Sequence, residues 1–300
     1  MKVEFKRAIV LVIAVILVVV GIKIFQNRDT TLKDLKKVGY NDFEITILLN
    51  NLNKEEIENV INSEYDEHLP KVLNHKYYIP NNLQKYLELY KTNDNLDDVI
   101  AIINTGVDKD FYTFTKEVTN LTNSMLVNKF NYLPADYAPN DIVNILNWYA
   151  YGDRSIKDEV YDQFIKMWRA AGNENLKLII NSGYRTFEDQ KYTHDNSSDE
   201  YAARPGFSEH QTGLALDIIT DDEYNGNDFD KTDEFIWLQN NAHKYGFIFR
   251  YPKGKEHITG YSYEPWHYRY LGVELATKVY ESGLTYDEYY AYYCDYKGEC

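Results

Sequence analysis

The chain has 300 residues, a length that can hold one large domain and a smaller one. It carries 47 aspartates and glutamates against 32 lysines and arginines, a formal net charge of −15 at pH 7. Proteins that bind nucleic acid need a basic face, so this balance argues against a nucleic-acid partner. It also disfavours binding to an anionic cell wall through charge alone, and we interpret it as a solvated acidic surface.

The N-terminal segment predicts a membrane anchor. The run over residues 8–22 is wholly apolar, and three cations precede it: Lys2, Lys6 and Arg7. This run is short for a spanning helix, which needs about 17–25 residues, but Lys23 can reach the interface and lengthen the span. A cleaved signal peptide is the alternative, although no small-residue cleavage site follows. We favour an uncleaved, single-pass anchor over residues 1–28, with the basic flank in the cytoplasm and the rest of the chain outside the cell membrane.

Residues 29–110 have the pattern of several short helices. The spacings Asn41-x-x-Glu44 and Asn53-x-x-Glu56 are typical of helix N-termini, and apolar residues follow each of them. A DNA-binding helix-turn-helix over residues 41–62 is formally possible, but the acidic balance and the predicted outside location count against it. We predict a helical spacer region or a small module that contacts the wall.

Residues 111–293 mix helical and strand patterns in blocks, which predicts an α+β domain with a mainly antiparallel sheet flanked by helices. The predicted strands cover residues 176–180, 214–220, 246–251 and 266–270. The predicted helices cover residues 155–171, 187–192, 233–245, 272–280 and 285–293, and a polar loop over residues 192–200 is expected to border the cleft.

The two cysteines, Cys294 and Cys300, lie in the C-terminal tail over residues 294–300. Outside the cell a disulfide that closes a small terminal loop is favoured over two unlinked thiols. Neither cysteine has metal-ligand spacing with any histidine, so we exclude both from a metal site.

Four short segments carry residues that can do chemistry. They are Ser182-Gly183-Tyr184-Arg185, Ser208-Glu209-His210, Gly213-Leu214-Ala215-Leu216-Asp217 and Glu264-Pro265-Trp266-His267. Two histidines and one carboxylate, with a fourth position open, are how a catalytic zinc is held. A glutamate beside such a metal that does not ligate it is the usual base for the reacting water. Alone, each residue has an ordinary interpretation, such as a surface ion pair or a turn, but together they predict a zinc peptidase.

The spacing of these segments predicts local structure. His210 and Asp217 lie seven residues apart, an odd number, so a continuous strand would point them to opposite faces. We therefore expect a turn or bulge at Gly213 before the strand that carries Asp217. Pro265 lacks an amide donor and marks the beginning of the next strand, which leaves Glu264 just before it.

The four segments resemble the VanY-like D-alanyl-D-alanine carboxypeptidases, zinc peptidases that act on peptidoglycan stem peptides. The family also includes L,D-carboxypeptidases and D,D-dipeptidases. The resemblance extends from about Leu126 to about Tyr290, rather more than half of the chain, and it implies a zinc D,D-peptidase-like fold.

The resemblance also implies roles for individual residues. One zinc ion per chain would be held by His210, Asp217 and His267. Glu264 would be the general base and later the proton donor, while Arg185 would stabilise the oxyanion or grip the substrate. Three further residues would line the substrate pocket: Tyr184, Gln190 and Ser208.

Several alternatives stay open at this point. Removal of D-alanine from a pentapeptide and L,D-cleavage of a tetrapeptide use the same ligands, while a D,D-dipeptidase fits poorly with a membrane anchor. A catalytically inactive wall-binding domain would be expected to lose a ligand or Glu264, and none is lost. The cation that binds the free carboxylate of the substrate could be any of three: Arg185, Arg204 or Arg250.

Overall fold

The computed structural model describes residues 30–199, 202–220 and 226–300, so the predicted anchor at residues 1–28 lies outside the described residues. Among the described residues, no helix combines the length and the apolar character needed to cross a membrane. The chain divides into two compact units, the first ending at Ile100 and the second beginning at Ala101.

The described part of the first unit consists of short helices around a small apolar core that includes Leu35 and Leu48. Capping boxes form at Asn41 and at Asn53, as their spacing to the following glutamates predicted. Helix α6 continues past the end of this unit. The helices are α1 (residues 30–38), α2 (Asp42–Asn51), α3 (Lys54–Ile61), α4 (His68–Leu73), α5 (Leu83–Tyr90) and α6 (Leu96–Thr105).

The second unit is built on a four-stranded sheet whose neighbouring strands are all antiparallel. In spatial order its strands are β5 (Leu178–Ser182), β6 (Ala215–Thr220), β8 (His267–Tyr270) and β7 (Phe247–Phe249). Helices and antiparallel sheets together confirm the mixed class predicted from the sequence. The smaller strands are β1 (Lys116–Glu117) and β2 (Asn131–Tyr132), which pair in parallel, and β3 (Ile142–Asn144) and β4 (Ser155–Lys157), which form an antiparallel pair.

Five helices of this unit lie close to their predicted positions, with differences at the ends, and the short helix α10 was not predicted. They are α7 (Asp158–Gly172), α8 (Phe187–Asp195), α9 (Asp233–Asn241), α10 (Glu256–Thr259), α11 (Val273–Ser282) and α12 (Tyr286–Tyr289). The predicted loop over residues 192–200 is partly wrong, because α8 continues to Asp195. The last helix has its predicted Thr285 capping box and continues as a π-helix over Tyr290–Tyr296. Cys294, which lies in this π-helix, forms the predicted disulfide with Cys300.

The prediction of a helix from residue 155 was wrong at its start. Ser155–Lys157 pair with β3 as strand β4, and the helix begins only at Asp158. Ile156 is fully buried in the core, so a helical interpretation of its apolar side chain was equally consistent with the sequence. Two acidic residues, Asp158 and Glu159, occupy the first helical turn, where the helix dipole favours negative charge.

The turn predicted at Gly213 is present. A 3-10 turn over Glu209–Thr212 ends at Gly213, whose backbone is left-handed with φ 68°. The strand that follows sends Leu214, Leu216 and Ile218 into the main apolar core, where all three are fully buried. This turn therefore changes the register of side chains between His210 and Asp217.

We expect Gly213→Ala to lower the free energy of unfolding by about 2–4 kcal/mol, because it combines left-handed strain with overpacking. A Cβ at this position would lie 2.8 Å from Lys157 Cγ and 2.9 Å from Ile142 Cδ1. Gly254 is the matched control, since it has φ 83° and a Cβ added there would meet no atom within 4 Å. Gly254→Ala should cost only the strain, about 1–2 kcal/mol. Equal losses in chemical denaturation would contradict the packing argument.

Candidate metal centre

Strand pairing brings the candidate ligands together. Asp217 in β6 pairs with Ser182 of β5 on one side and with His267 of β8 on the other. His210 comes from the 3-10 turn that precedes β6. A hydrogen bond from the Arg185 amide to the His210 carbonyl, 3.2 Å long, ties this turn to the segment after β5.

The three predicted ligands form one compact, buried cluster. His210, Asp217 and His267 each offer a ligand atom, and these atoms all lie within 4.8 Å of one another. Asp217 Oδ1 lies 3.4 Å from His210 Nε2 and 3.2 Å from His267 Nδ1. These distances place three donor atoms around one point, as a single metal ion requires.

Hydrogen bonds on the far side of each ring orient the two histidines. His210 Nδ1 lies 2.7 Å from the carbonyl oxygen of Gly183. A carbonyl oxygen can only accept, so Nδ1 carries the proton and Nε2 is the atom left to bind a metal. His267 Nε2 lies 3.2 Å from a carboxylate oxygen of Glu209, which leaves Nδ1 facing the cluster. Metal-binding histidines commonly have such outer partners.

The electrostatics of the cluster fit a bound cation. Burial lowers the pKa of His210 to about 4, so its ring is neutral and able to ligate. Burial alone would lower the pKa of His267, but the nearby carboxylates of Asp217 and Glu209 raise it to about 9. Without a metal this ring therefore carries a positive charge beside the two carboxylates, a charge that a bound cation would replace. Asp217 Oδ1 is buried and accepts no hydrogen bond among the described residues, a costly state that a metal ion would relieve. The nitrogen, nitrogen and oxygen donors suit zinc.

Glu264 lies beside the cluster but outside the ligand set. It precedes β8, as the position of Pro265 predicted, and its Oε2 lies 3.6 Å from His267 Nδ1. Burial raises the pKa of Glu264 to about 7, with the charge of Asp217 adding to the rise and those of His267 and Arg185 opposing it. A carboxyl group with such a pKa can accept and return a proton near neutral pH.

Arg185 supplies a half-buried positive charge at the same site. Its Nη1 donates to Gln190 Oε1 at 2.9 Å, and Gln190 Nε2 in turn donates to the carbonyl of Ala203 at 2.7 Å. Arg185 Nε is buried and has no acceptor within the part of the chain that the structure describes. An unpaired guanidinium N–H in a cavity is suited to an anionic group of a ligand.

A cavity of about 140 Å³ joins these groups. Tyr184 does not line it, and the Tyr184 amide donates instead to the carbonyl of Ser155 in β4 at 2.7 Å. The predicted site residues that line the cavity are Arg185, Gln190, Ser208, His210, Asp217, Glu264 and His267.

The three candidate arginines have different surroundings. Arg204 is exposed and forms an ion pair with Asp199. Arg250 is fully buried and bonded to Glu209 and Asp287. Of these three, Arg185 alone lines the cavity.

Comparisons with known proteins agree with this geometry. The family model of VanY, D-alanyl-D-alanine carboxypeptidase, matches residues 153–273. The protein YodJ of Bacillus subtilis, named as a carboxypeptidase, is 42% identical over 181 residues, which cover 55% of this chain and 66% of YodJ. A D-alanyl-D-alanine carboxypeptidase of Enterococcus faecium is 32% identical over 218 residues, which cover 70% of this chain and 71% of that protein. The chain belongs to the VanY family.

A solved structure has a similar fold over this region of the chain. The structure of the LdcB LD-carboxypeptidase matches with a TM-score of 0.56 and 40% identity, over 60% of this chain and 91% of that one. The chain spans slightly less than two thirds of the length of YodJ, at 66%. The VanY family is zinc-dependent, in agreement with the donor set found here.

Sequence reasoning missed part of this VanY-family site. Tyr251, Tyr261 and Trp266 also line the cavity, and Glu209 both lines it and contacts the candidate ligand His267. The signal for Glu209 was its place in the chain, directly before His210. Nothing in that spacing showed that its side chain reaches His267, which is 58 residues further along the chain.

Proposed function

We propose that this protein is a zinc-dependent carboxypeptidase that removes the C-terminal D-alanine from peptidoglycan stem peptides. The observation that carries the proposal is the complete ligand set of His210, Asp217 and His267, which lines one cavity together with Glu264, a carboxylate outside that set. An inactive wall-binding domain would have no need to keep all four. Membership of the VanY family supplies the substrate class.

We assign each catalytic step to a residue of the cavity. When bound, zinc polarises the scissile carbonyl and acidifies water enough for it to react near neutral pH. Glu264 takes the proton of the attacking water and later delivers it to the amine of the departing D-alanine. The raised pKa of Glu264 suits both transfers.

Arg185 is the group we assign to negative charge on the substrate. Arg185 lines the cavity beside the candidate ligands, where it can meet a carboxylate or a developing oxyanion, and Gln190 holds the guanidinium in place through Nη1. Fixed donors in a buried cavity stabilise such charge without having to reorganise during the reaction. Arg250 is unsuited to binding the substrate because its guanidinium already forms ion pairs with Glu209 and Asp287.

An L,D-carboxypeptidase acting on tetrapeptides is the second candidate. The observation that favours it is the likeness to LdcB, whose solved chain is covered to 91% at 40% identity. Both reactions release one D-alanine and use the same metal, base and arginine. The two candidates therefore differ in the residue that precedes the scissile bond.

The decisive experiment offers the purified, zinc-loaded protein two synthetic stem peptides in parallel. We expect D-alanine to be released from the pentapeptide ending in D-alanyl-D-alanine, and the tetrapeptide to remain intact. Release from the tetrapeptide alone would replace the proposal by the L,D-reaction. Release from neither, with zinc bound, would favour the inactive wall-binding alternative.

We further propose that residues 1–28 anchor the protein in the cell membrane with the catalytic domain outside. The support is the basic flank, the apolar run, and a substrate that is assembled beyond the membrane. The disulfide between Cys294 and Cys300 is suited to an oxidising compartment. Protease added to intact cells stripped of wall should digest the catalytic domain while a cytoplasmic marker survives. A protected domain would contradict the orientation, and soluble protein beginning near Gln26 would contradict the anchor.

A further inference from the structure

Glu209 is a fully buried carboxylate that the reaction above does not use. It lies next to the ligand His210 in the chain, at the beginning of the 3-10 turn, and its side chain is 0% exposed. Burying a carboxylate destabilises the folded protein unless its oxygens accept hydrogen bonds or pair with cations. The partners of Glu209 therefore indicate what its carboxylate does at this position.

The two oxygens of Glu209 have different partners. Oε1 accepts from Arg250 Nε at 2.8 Å and from Arg269 Nη1 at 2.9 Å. Oε2 lies 3.2 Å from His267 Nε2. Because both guanidinium groups are taken up by Oε1, the second oxygen is left to face the imidazole.

The arginines are held rigidly, and so is the carboxylate between them. Arg269 Nη2 donates to the carbonyl of Met125 at 2.7 Å, and Arg250 also bonds the carboxylate of Asp287 in α12. Two arginines and two carboxylates make this buried cluster neutral in total. Glu209 therefore presents Oε2 to His267 from a fixed position.

We propose that Glu209 is a positioning residue that holds a proton on His267 Nε2 and so keeps Nδ1 available as the zinc ligand. The inference rests on the proposed zinc centre. A carboxylate oxygen can only accept, so it favours the ring form that carries its proton at Nε2. In that neutral ring form the opposite nitrogen, Nδ1, has no proton and is able to bind zinc, and it lies 3.2 Å from Asp217 Oδ1 in the ligand cluster.

Glu209→Gln tests this role directly. A side-chain amide has one accepting oxygen, whereas the carboxylate serves two arginines with one oxygen and His267 with the other. If the amide oxygen stays with the arginines, its NH₂ group faces the Nε2–H of His267, donor against donor. If the amide flips, the same conflict arises with the arginines. Either arrangement weakens the support of His267 as a ligand.

Asp287→Asn is the matched control. It removes one negative charge from the same buried cluster and disturbs Arg250. The Glu209 carboxylate that faces His267 is left in place. Both variants should therefore lose stability. A loss of zinc affinity confined to the Glu209 variant separates positioning of the ligand from general damage to the cluster.

The experiment measures zinc affinity by competition with a chromophoric chelator, and it records ¹⁵N NMR spectra of the His267 ring at saturating zinc. In the wild type we expect zinc on Nδ1 and a slowly exchanging proton on Nε2. Glu209→Gln should weaken zinc binding by about 10–100-fold and shift or broaden the Nε2–H signal. Asp287→Asn should keep that signal and bind zinc within about threefold of the wild type, since loss of an outer partner of the ligand is what costs 10–100-fold.

Two results would overturn the inference while leaving the zinc centre intact: zinc on Nε2 of His267 in the wild type, or unchanged zinc affinity and Nε2–H signal in Glu209→Gln. A wild type that binds no zinc would overturn the proposed function and the inference with it. If Glu209→Gln fails to fold, Glu209→Asp keeps the charge but draws the carboxylate back by one carbon. The same loss of zinc affinity is expected of it, and the wild-type spectrum decides the nitrogen assignment independently.

Discussion

Glu264→Gln is expected to keep the fold and the zinc ion but to lower turnover by about 10²–10⁴-fold, the usual contribution of general acid–base catalysis. Glutamine matches glutamate in shape but cannot take the proton from water or return it to the leaving amine. The zinc ion should stay because Glu264 lies outside the three-residue ligand cluster. Release of D-alanine from the preferred peptide gives the rate, and metal analysis of the same sample gives the zinc content.

A glutamate outside the cavity provides the control for this change. Glu274 in α11 has an 85% exposed side chain and an ion pair with Lys278, so Glu274→Gln should alter neither rate nor zinc content. Loss of zinc from Glu264→Gln would show that Glu264 is a ligand, and the assignment of base and ligands would then have to be revised. Full activity would remove Glu264 from the mechanism.

The features that the sequence predicted well are governed by local backbone rules. The odd spacing between His210 and Asp217 required a change of register, and Gly213 supplies it with a left-handed backbone. Pro265 could not donate to a strand ladder, so Glu264 had to precede β8. Capping boxes at Asn41 and Asn53 follow from spacing over three residues in the same way.

The features that it missed depend on contacts between distant parts of the chain. Glu209 meets Arg250 and Arg269 at separations of 41 and 60 residues, and Arg250 meets Asp287 at a separation of 37. Hydrophobic periodicity contains no information about such polar pairs. The sequence alone does not distinguish a buried glutamate or arginine from an exposed one. Burial of either requires a partner of opposite charge, and only the tertiary fold decides which charged residues become partners.

The start of helix α7 shows a second limit. Ser155–Lys157 have an apolar residue flanked by polar ones, a pattern too short to separate a strand from a helical turn. Pairing with β3 decides the outcome, and β3 lies in a part of the chain with no strong strand signal of its own. The error mattered for the site, because the carbonyl of Ser155 binds the amide of Tyr184.

His210→Ala and His267→Ala are each expected to abolish zinc retention. Either change leaves one nitrogen ligand and the Asp217 carboxylate, fewer than the three protein ligands that catalytic zinc sites use. His267→Ala also leaves Glu209 Oε2 buried without its imidazole partner, so it should lower stability more than His210→Ala does. Zinc content after dialysis against a chelator measures retention, and thermal unfolding of the metal-free proteins compares the stabilities.

His194→Ala is the control that separates loss of a ligand from loss of a histidine. His194 lies in α8 and bonds Asp199 through Nε2 at 2.8 Å, outside the ligand cluster, so its removal should leave zinc in place. Full zinc occupancy in His210→Ala or in His267→Ala would contradict the three-ligand assignment.

Because Asp217 Oδ1 has no hydrogen-bond donor among the described residues, the metal-free wild type should itself be less stable than the zinc-loaded protein, by an amount that rises with zinc concentration. That dependence should vanish in both ligand variants and persist in His194→Ala.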